Sequence, residues 1–420
     1  MKRVHRLVLP CLELLALTSG LACQHEFATC DITQRACQED IYYRMLSLRG
    51  DGYDPFGGLP PVTVISEADF RTMLEQEQAD TAKKGPNPWD KALVLLHFSS
   101  AANPSADGGA DGGAGGDAGT GTSAIDDEVT HVYAFYDPKP KTVTVISHPN
   151  QTGSHVQEEA MITLAHELVH ALQDRELNLN KSDFQTSDEY YAYDAIIEGD
   201  ARFYEDMFTN DVRKMLGLSA LDITQMPDDE LAYDYAHFDQ LGSPLFAARV
   251  LIYPLGAKYE ATAYRAGGNA AVRHAYAKAP RRTVGFLVGA DGHVPPVGSG
   301  DVCPAPVANA LPTKGGTVGA DQFGALLFYT FLRGWGVAHD VAFATAQTWT
   351  GDYLRVQATT DYGTTAAAWR IEFSISPAPA IAQALAATGE LTVTTSGQAL
   401  LITASDSATP LAWTANPACP

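Results

Sequence analysis

The sequence predicts an α+β fold. A β-hairpin is predicted within residues 132–146, and two long helical segments follow it directly. Paired strands return only near the C-terminus, after residue 353. The 420 residues are enough for a large core, with one main unit and a smaller C-terminal lobe.

The N-terminus is predicted to be a targeting segment outside this fold. Residues 1–22 combine a basic start with a short, interrupted apolar stretch, which is typical of a signal peptide. Gly-Leu-Ala-Cys at 20–23 resembles a bacterial lipobox, which would make Cys23 the lipidated first residue and 23–60 a tether with a cysteine-containing segment. We expect an exported protein, either an outer-membrane lipoprotein of the cell envelope or, after ordinary signal cleavage, a secreted one.

Four cysteines remain once the signal segment and Cys23 are set aside. An even number in an oxidising compartment favours two disulfides, and three pairings are possible. Proximity favours Cys30 with Cys37 and Cys303 with Cys419. A second zinc site is the alternative, but the chain has no Cys-x-x-Cys pair.

The segment before the hairpin is predicted to hold a strand and a flexible insertion. The apolar run from Lys91 to Phe98 predicts the strand. Residues 101–124 are rich in glycine, alanine and aspartate and cannot bury apolar surface, so they indicate a flexible insertion. Calcium binding is the alternative, but a nonapeptide period is missing.

The strongest signal is His-Glu-x-x-His at residues 166–170. A capping box at 154–157 and apolar neighbours on several sides predict a buried helix. His166 and His170 are four residues apart, so they share one helix face and can bind a single Zn²⁺. Glu167 lies toward the open side of the ion and can act as general base toward water. Two core histidines bonded to backbone carbonyls are the alternative.

A second predicted helix, Thr186 to Asn210, supplies the third ligand. Glu198 is embedded in its apolar run, and Gly199 and Ala201 would let the two helix backbones approach closely. Asp200 is expected on an exposed face, with a hydrogen bond to a ligand histidine as the alternative. The competing acids look like capping residues or have neighbours typical of an exposed face. They are Asp188, Glu189, Asp194 and Glu205.

These residues carry a resemblance to a known family. His-Glu-Leu-Val-His-Ala-Leu-Gln-Asp at 166–174, followed by Glu-Gly-Asp-Ala at 198–201, resembles the secreted bacterial zinc metallopeptidases of the gluzincin, or thermolysin-like zincin, type. The similarity covers about residues 130 to 375 and includes Tyr-Pro-Leu-Gly at 253–256 and Gly-Gly-Asn-Ala-Ala-Val at 267–272. The resemblance implies that His166, His170 and Glu198 bind Zn²⁺ and that Glu167 is the general base.

The resemblance also implies an architecture. A zincin-like catalytic domain would span 61–290, with an N-terminal sheet and its edge hairpin packed on the two ligand helices, and a C-terminal α/β lobe would span 291–420. Zincins typically place an edge strand above the metal, where an extended peptide can add as a further strand. Thr142 to Ile146 is the predicted position of that strand, with an ordinary sheet strand as the alternative. After Pro280 the chain has Arg-Arg-Thr-Val-Gly where such proteins have Ser-Thr-Glu-Gln, so the resemblance does not define the substrate-facing surface.

The later segments offer further candidates. Leu245 to Gly267 and Gly268 to Ala279 predict two helices, and a tyrosine or histidine near them could stabilise an oxyanion. The candidates, each with packing as the alternative, are His237, Tyr253, Tyr259 and His274. Arg273, Arg281 and Arg282 could bind a substrate carboxylate, with exposed charge as the alternative. Helices are also predicted at 323–334, 338–348 and 377–388, and strands at 353–357, 368–373, 391–395 and 399–403.

The sequence therefore predicts a zinc metallopeptidase that hydrolyses a peptide or protein substrate. The net charge of −22 argues against nucleic acid and anionic membrane surfaces as partners, so membrane association is expected only through lipidation of Cys23. The alternative is a lipid-anchored zinc-binding protein on a peptidase fold, with a binding or structural role and little turnover. Glu167 favours catalysis, because a structural zinc site would normally fill its fourth position with another ligand. A hydrolase of amide bonds in cell-wall material would share the same site.

Overall fold

The structure is a computed structural model. It describes residues 29–50, 57–82, 87–99, 122–148, 154–180, 184–289, 303–306, 315–359, 365–377, 379–387, 389–406 and 413–416. The predicted signal segment, Cys23, Cys419 and residues 101–121 of the predicted insertion lie outside these ranges. Within them, no helix is both long enough and apolar enough to span a membrane.

Helices and strands both contribute, which confirms the α+β class. The helices are α1 (Arg35–Arg49), α2 (Glu67–Ala82), α3 (Pro88–Leu95), α4 (Thr122–His131), α5 (Ser154–Leu177), α6 (Ser187–Met215), α7 (Met226–Ala236), α8 (Pro244–Ala277), α9 (Val284–Val288), α10 (Gly324–Gly334), α11 (His339–Ala346) and α12 (Pro379–Ala386). The strands are β1 (Val62–Ser66), β2 (Ala134–Asp137), β3 (Thr142–Ser147), β4 (Cys303–Pro306), β5 (Gly315–Asp321), β6 (Trp349–Thr359), β7 (Thr365–Phe373), β8 (Thr392–Ser396), β9 (Ala399–Ser405) and β10 (Trp413–Asn416).

The described strands form three sheets. In the first, β3 lies between β1, which is parallel to it, and β2, which is antiparallel. The second is the antiparallel pair β4 and β10, and the third has the order β5-β6-β7-β9-β8 with antiparallel neighbours. The predicted hairpin and C-terminal strands are confirmed. The expectation that a peptide adds to Thr142–Ile146 is wrong, because β3 is paired on both sides, and the edge strands of this sheet in the described part of the chain are β1 and β2.

The predicted strand from Lys91 to Phe98 is also wrong, because most of this segment is helix α3. Asn87 caps the helix by accepting the Trp89 backbone N–H at 3.1 Å, and Pro88 occupies its first turn. A short apolar run does not distinguish a buried strand from a buried helix, and here the capping residues decide.

Two hydrophobic cores meet along helices α6 and α8. We call the first the C-terminal core: it joins α3, α10 and the five-stranded sheet to the first halves of α6 and α8. The second, the N-terminal core, joins α1, α5 and the three-stranded sheet to the second halves of the same two helices. Ile197 belongs to the C-terminal core and Ala201 to the N-terminal core, so Glu198 lies where the two cores meet.

Helix α8 crosses α6 at a very close contact between two glycines. A methyl group on Gly199 would lie 2.3 Å from the Gly256 backbone, and one on Gly256 would lie 1.7 Å from the Ala195 carbonyl oxygen. Gly199 therefore serves the contact with α8, not the contact with α5 that the sequence suggests, whereas Ala201 packs in the core that contains α5. The predicted break between two helices is confirmed as a non-helical step at Gly267 and Gly268 within α8.

The N-terminal segment is fastened to the N-terminal core. Cys30 and Cys37 form a disulfide, as predicted. Helix α1 then buries Ile41, Tyr42 and Met45 completely in the core that contains α5. The predicted bond between Cys303 and Cys419 stays a prediction, because Cys419 lies outside the described residues.

Candidate metal centre

Helix α5 brings three potential metal ligands together in a buried position. The ligand atoms of His166, Glu167 and His170 lie within 4.8 Å of one another, and this group could bind a metal ion. The three residues are 8%, 5% and 7% exposed. Helix α5 begins at Ser154, where the sequence predicts a helix start, and its apolar residues pack in the N-terminal core. The helix is therefore fixed on the sides that do not carry the histidines.

Helix α6 adds a fourth donor, Glu198. Its Oε2 lies 3.2 Å from His166 Nε2 and 3.3 Å from His170 Nε2, and the two nitrogens are 3.0 Å apart. Bonds of about 2.05 Å in a tetrahedron imply ligand atoms about 3.3 Å apart, so this triangle has the size of one face of a tetrahedral zinc site. Glu198 Oε2 is thus within 3.3 Å of both nitrogens, close enough to share one ion with them, and it is a candidate third ligand.

The outer nitrogens of both imidazoles have their own acceptors. His166 Nδ1 donates to Glu205 Oε2 at 2.9 Å, and the other oxygen of Glu205 accepts from Arg202. His170 Nδ1 donates to Gln173 Oε1 at 2.8 Å. When a metal ion is bound, each imidazole would carry its proton on Nδ1 and present the Nε2 lone pair to the ion beside Glu198. Two lone pairs and a carboxylate oxygen that converge in this way repel one another unless a cation lies between them, which is the chemistry of a metal site.

The surrounding charges also favour a cation. Burial alone would lower the pKa of His166, but hydrogen bonds to Glu198 and Glu205 outweigh it and raise that pKa to about 10. Burial alone would raise the pKa of Glu198, but the two histidines hold it well below its usual range. The carboxylates of Glu198 and Glu205 are buried beside His166, so this cluster favours a compensating positive charge, either a proton on a histidine or a metal ion.

Glu167 is held by the edge of the three-stranded sheet. Its Oε2 accepts the backbone N–H of Tyr136, in β2, at 2.8 Å. The Tyr136 hydroxyl donates to Asp174 Oδ2 at 2.7 Å, seven residues further along α5. Burial raises the pKa of Glu167, while the neighbouring histidines oppose that rise. The backbone N–H and the hydroxyl of Tyr136 thus both bind residues of α5, and these two hydrogen bonds fix the position of β2 relative to the Glu167 carboxylate.

Helix α8 contributes Tyr253 to the site. Its ring stacks on His166 with 6.0 Å between ring centroids, and burial together with the nearby Glu198 carboxylate raises the pKa of its hydroxyl well above the usual range. The contact between Gly199 and Gly256 makes this approach possible, because Gly256 is one turn from Tyr253 on the same helix. The other predicted oxyanion candidates lie in different surroundings: Tyr259 packs on Phe286, His237 stacks on Tyr233, and His274 is exposed.

Several acids on α6 do not have the roles that the sequence suggests. Glu205 is buried against His166, not exposed, and Asp200 is 2% exposed and bonded to Gln173 Nε2 at 2.8 Å. Asp188 does not cap α6: it is fully buried and accepts the Thr283 N–H at 2.9 Å, whereas Thr186 caps the helix. Arg282 lies beside Asp188 and donates to Gln322, so it is engaged inside the fold.

Helical spacing could have identified two of the missed residues. Glu205 is seven residues after Glu198, which is two turns along the same face of α6, and Gln173 is three residues after His170 on α5. Both positions point toward the ligands. Tyr136 carries no such local signal, because its contact with Glu167 depends on how the hairpin folds over the helix.

Comparison with models of known protein families, with curated proteins and with solved structures finds no match for this chain.

Proposed function

We propose that the protein is a zincin-like zinc metallopeptidase that hydrolyses peptide bonds. The observation that carries this proposal is the triangle of His166 Nε2, His170 Nε2 and Glu198 Oε2, with edges of 3.0–3.3 Å, beside the separate carboxylate of Glu167. Three protein ligands and one free carboxylate are the arrangement of a catalytic zinc site, which keeps its fourth position open. The resemblance in the motifs at 166–174 and 198–201 supports the same class.

A zinc ion held by these residues would lower the pKa of water to about 7 and polarise the carbonyl of the scissile bond. Glu167 takes the proton from the attacking water and passes it to the departing amine. The Tyr136 N–H fixes one oxygen of Glu167, so the carboxylate keeps one orientation during both transfers. Tyr253 is the side chain best placed to donate a hydrogen bond to the oxyanion.

The proposed substrate is an extended stretch of peptide or protein that lies along β2. Backbone groups alternate in direction along an antiparallel strand, and Tyr133 O accepts the Ile146 N–H on the β3 side. Ala134 and Tyr136 therefore turn their backbone groups to the free edge. Glu167 occupies the Tyr136 N–H, and Ala134 is 2% exposed, so a substrate strand would have to displace the groups that cover the Ala134 N–H and C=O. Export to the cell envelope or the medium, with lipidation at Cys23 as the membrane attachment, belongs to the same proposal.

Zinc content and hydrolysis of casein by the mature chain from residue 24 test the proposal. We expect one zinc per chain and cleavage by the wild type. Glu167→Gln should keep the zinc and lose activity, because it keeps the shape of the side chain and removes the base. Glu198→Ala should lose the zinc. Glu176→Gln, an exposed position on the same helix, is the matched control and should behave as the wild type.

Two results would contradict the proposal. A wild type that binds no zinc would mean that the convergent donors serve another purpose. A Glu167→Gln protein that cleaves casein as fast as the wild type would show that Glu167 is not the base.

A further inference from the structure

We propose that Arg49, on α1, is a positioning residue for the metal ligand His170 and acts on it through Asp200 and Gln173. This inference rests on the proposed function and extends it to a segment that precedes the three-stranded sheet. It concerns how the ligand is oriented; Arg49 itself does not reach the reacting atoms.

The first link is a buried ion pair. Arg49 donates from Nη1 to Asp200 Oδ2 at 2.8 Å, and the two side chains are 7% and 2% exposed. The guanidinium also lies over the Tyr204 ring, 4.8 Å from its centroid. These partners hold both charges in one geometry, because neither side chain is exposed to solvent that could replace the other.

The second link fixes an amide. Asp200 Oδ2 accepts Gln173 Nε2 at 2.8 Å, and the same nitrogen donates to the Ile197 carbonyl oxygen at 2.9 Å. With both N–H groups of the amide used, Gln173 Oε1 must face His170 Nδ1, which is 2.8 Å away. His170 therefore has to carry its proton on Nδ1, which leaves Nε2 free for the metal.

Removing Arg49 should disturb this sequence of contacts. Asp200 would remain without its counter-ion among buried groups, which include the fully buried side chain of Glu260. Without the ion pair the Asp200 side chain is no longer held in one orientation, and a turn of that side chain weakens its acceptor contact with Gln173. The amide could then flip, and a flipped amide presents N–H groups to His170.

The end of α1 is fastened in a way that suits this role. Asn269 Nδ2 donates to the Leu48 carbonyl oxygen at 2.8 Å, and Arg273 Nη1 donates to the Arg49 carbonyl oxygen at 3.0 Å. Both bonds come from α8, the helix that also carries Tyr253. The backbone of Arg49 is thus fixed relative to the helices around the site.

The test uses Co²⁺ as the probe, since its visible spectrum reports ligand geometry without any turnover. In Arg49→Met we expect Co²⁺ and Zn²⁺ to bind about 10- to 100-fold more weakly and the Co²⁺ absorption bands to shift. Arg49→Lys should recover most of the affinity because it restores the charge. Arg44→Met is the matched control: it breaks ion pairs of the same helix with Asp40 and Asp211 and should leave both readouts unchanged.

A purely structural role makes a different prediction. Arg49→Met would then unfold at a lower temperature but bind Co²⁺ with the wild-type affinity and spectrum, which would overturn the proposal. If Arg49→Met does not fold, Arg49→Met/Asp200→Asn removes both buried charges together, and wild-type Co²⁺ binding by that protein would overturn it equally. A wild type that binds no Co²⁺ would defeat the proposed function as well. A further result separates the two proposals: the wild type binds Co²⁺ and cleaves casein, while Arg49→Met binds Co²⁺ with the same affinity and spectrum as the wild type. That result would refute the role of Arg49 and leave the proposed function intact.

Discussion

Replacement of Gly256 by alanine tests whether the contact between α6 and α8 sets the geometry of the metal centre. The added methyl group would lie 1.7 Å from the Ala195 carbonyl oxygen and 2.7 Å from Gly199 Cα, whereas ordinary contacts begin near 3.4 Å. The opposing atoms belong to the backbone, so no side chain can turn away. The two helices would have to separate by roughly 1.5 Å to accommodate the methyl group.

The two energetic effects of this substitution are opposed and unequal. Alanine improves helix propensity over glycine by about 1 kcal/mol. Overpacking typically costs about 1–3 kcal/mol, and a contact with rigid backbone belongs at the upper end of that range or above it. We expect a net loss of about 2 kcal/mol in the free energy of unfolding. Glu198 and Tyr253 lie next to the contact, and ligands must stay within about 0.5 Å of their positions, so zinc affinity should fall by about 10- to 100-fold.

Urea denaturation of the metal-free protein measures the first quantity, and competition with a chromophoric chelator measures the second. Gly319→Ala is the control, because a methyl group there meets nothing within 4 Å. It should leave stability and zinc affinity close to those of the wild type. A Gly256→Ala protein that matches the wild type in both measurements would refute the idea that the glycine contact sets the ligand geometry.

Two further substitutions test other parts of the centre. Glu205→Gln should lower zinc affinity about 10-fold, because His166 loses its charged acceptor; chelator competition measures this, and an unchanged affinity would contradict it. Burial raises the pKa of Glu260 well above its usual range, so the folded state holds its proton more tightly than the unfolded state does. The wild type should therefore lose up to about 1.4 kcal/mol of stability per pH unit, relative to Glu260→Gln, from about pH 4.5 up to the folded pKa. Urea denaturation of both metal-free proteins between pH 4 and 9 measures this difference, and parallel pH profiles would contradict it.

The sequence predicts the parts of the site that repeat with the helical period. The spacing of four residues places His166 and His170 on one helix face, and Glu167 directly follows His166. The apolar positions around them indicate that the helix is buried. Glu198 is predicted as the third ligand because it is an acid embedded in an apolar run of the second helix. These inferences need only one helix at a time, and the structure brings all four side chains together.

The remaining features depend on contacts between distant segments. Arg49 and Asp200 are 151 residues apart in the chain, and nothing local in either segment pairs them. The position of β3 inside the sheet depends on β1, which comes from residues 62–66. Helix α3, like Glu205 and Gln173, had a usable local signal: the Asn-Pro cap at 87–88, which outweighs the strand-like run that follows it.

The sharing of α6 and α8 between two cores makes this protein hard to divide. Residues after 314 supply α10 and the five-stranded sheet, which cover the first half of each helix. A chain shortened to end at residue 290 would keep every side chain of the metal centre, yet it would expose that apolar half to water. Such a fragment should aggregate. The candidate metal centre thus depends on a distant sheet that contributes no ligand, and changes in that sheet can reduce the yield of soluble protein without touching the centre.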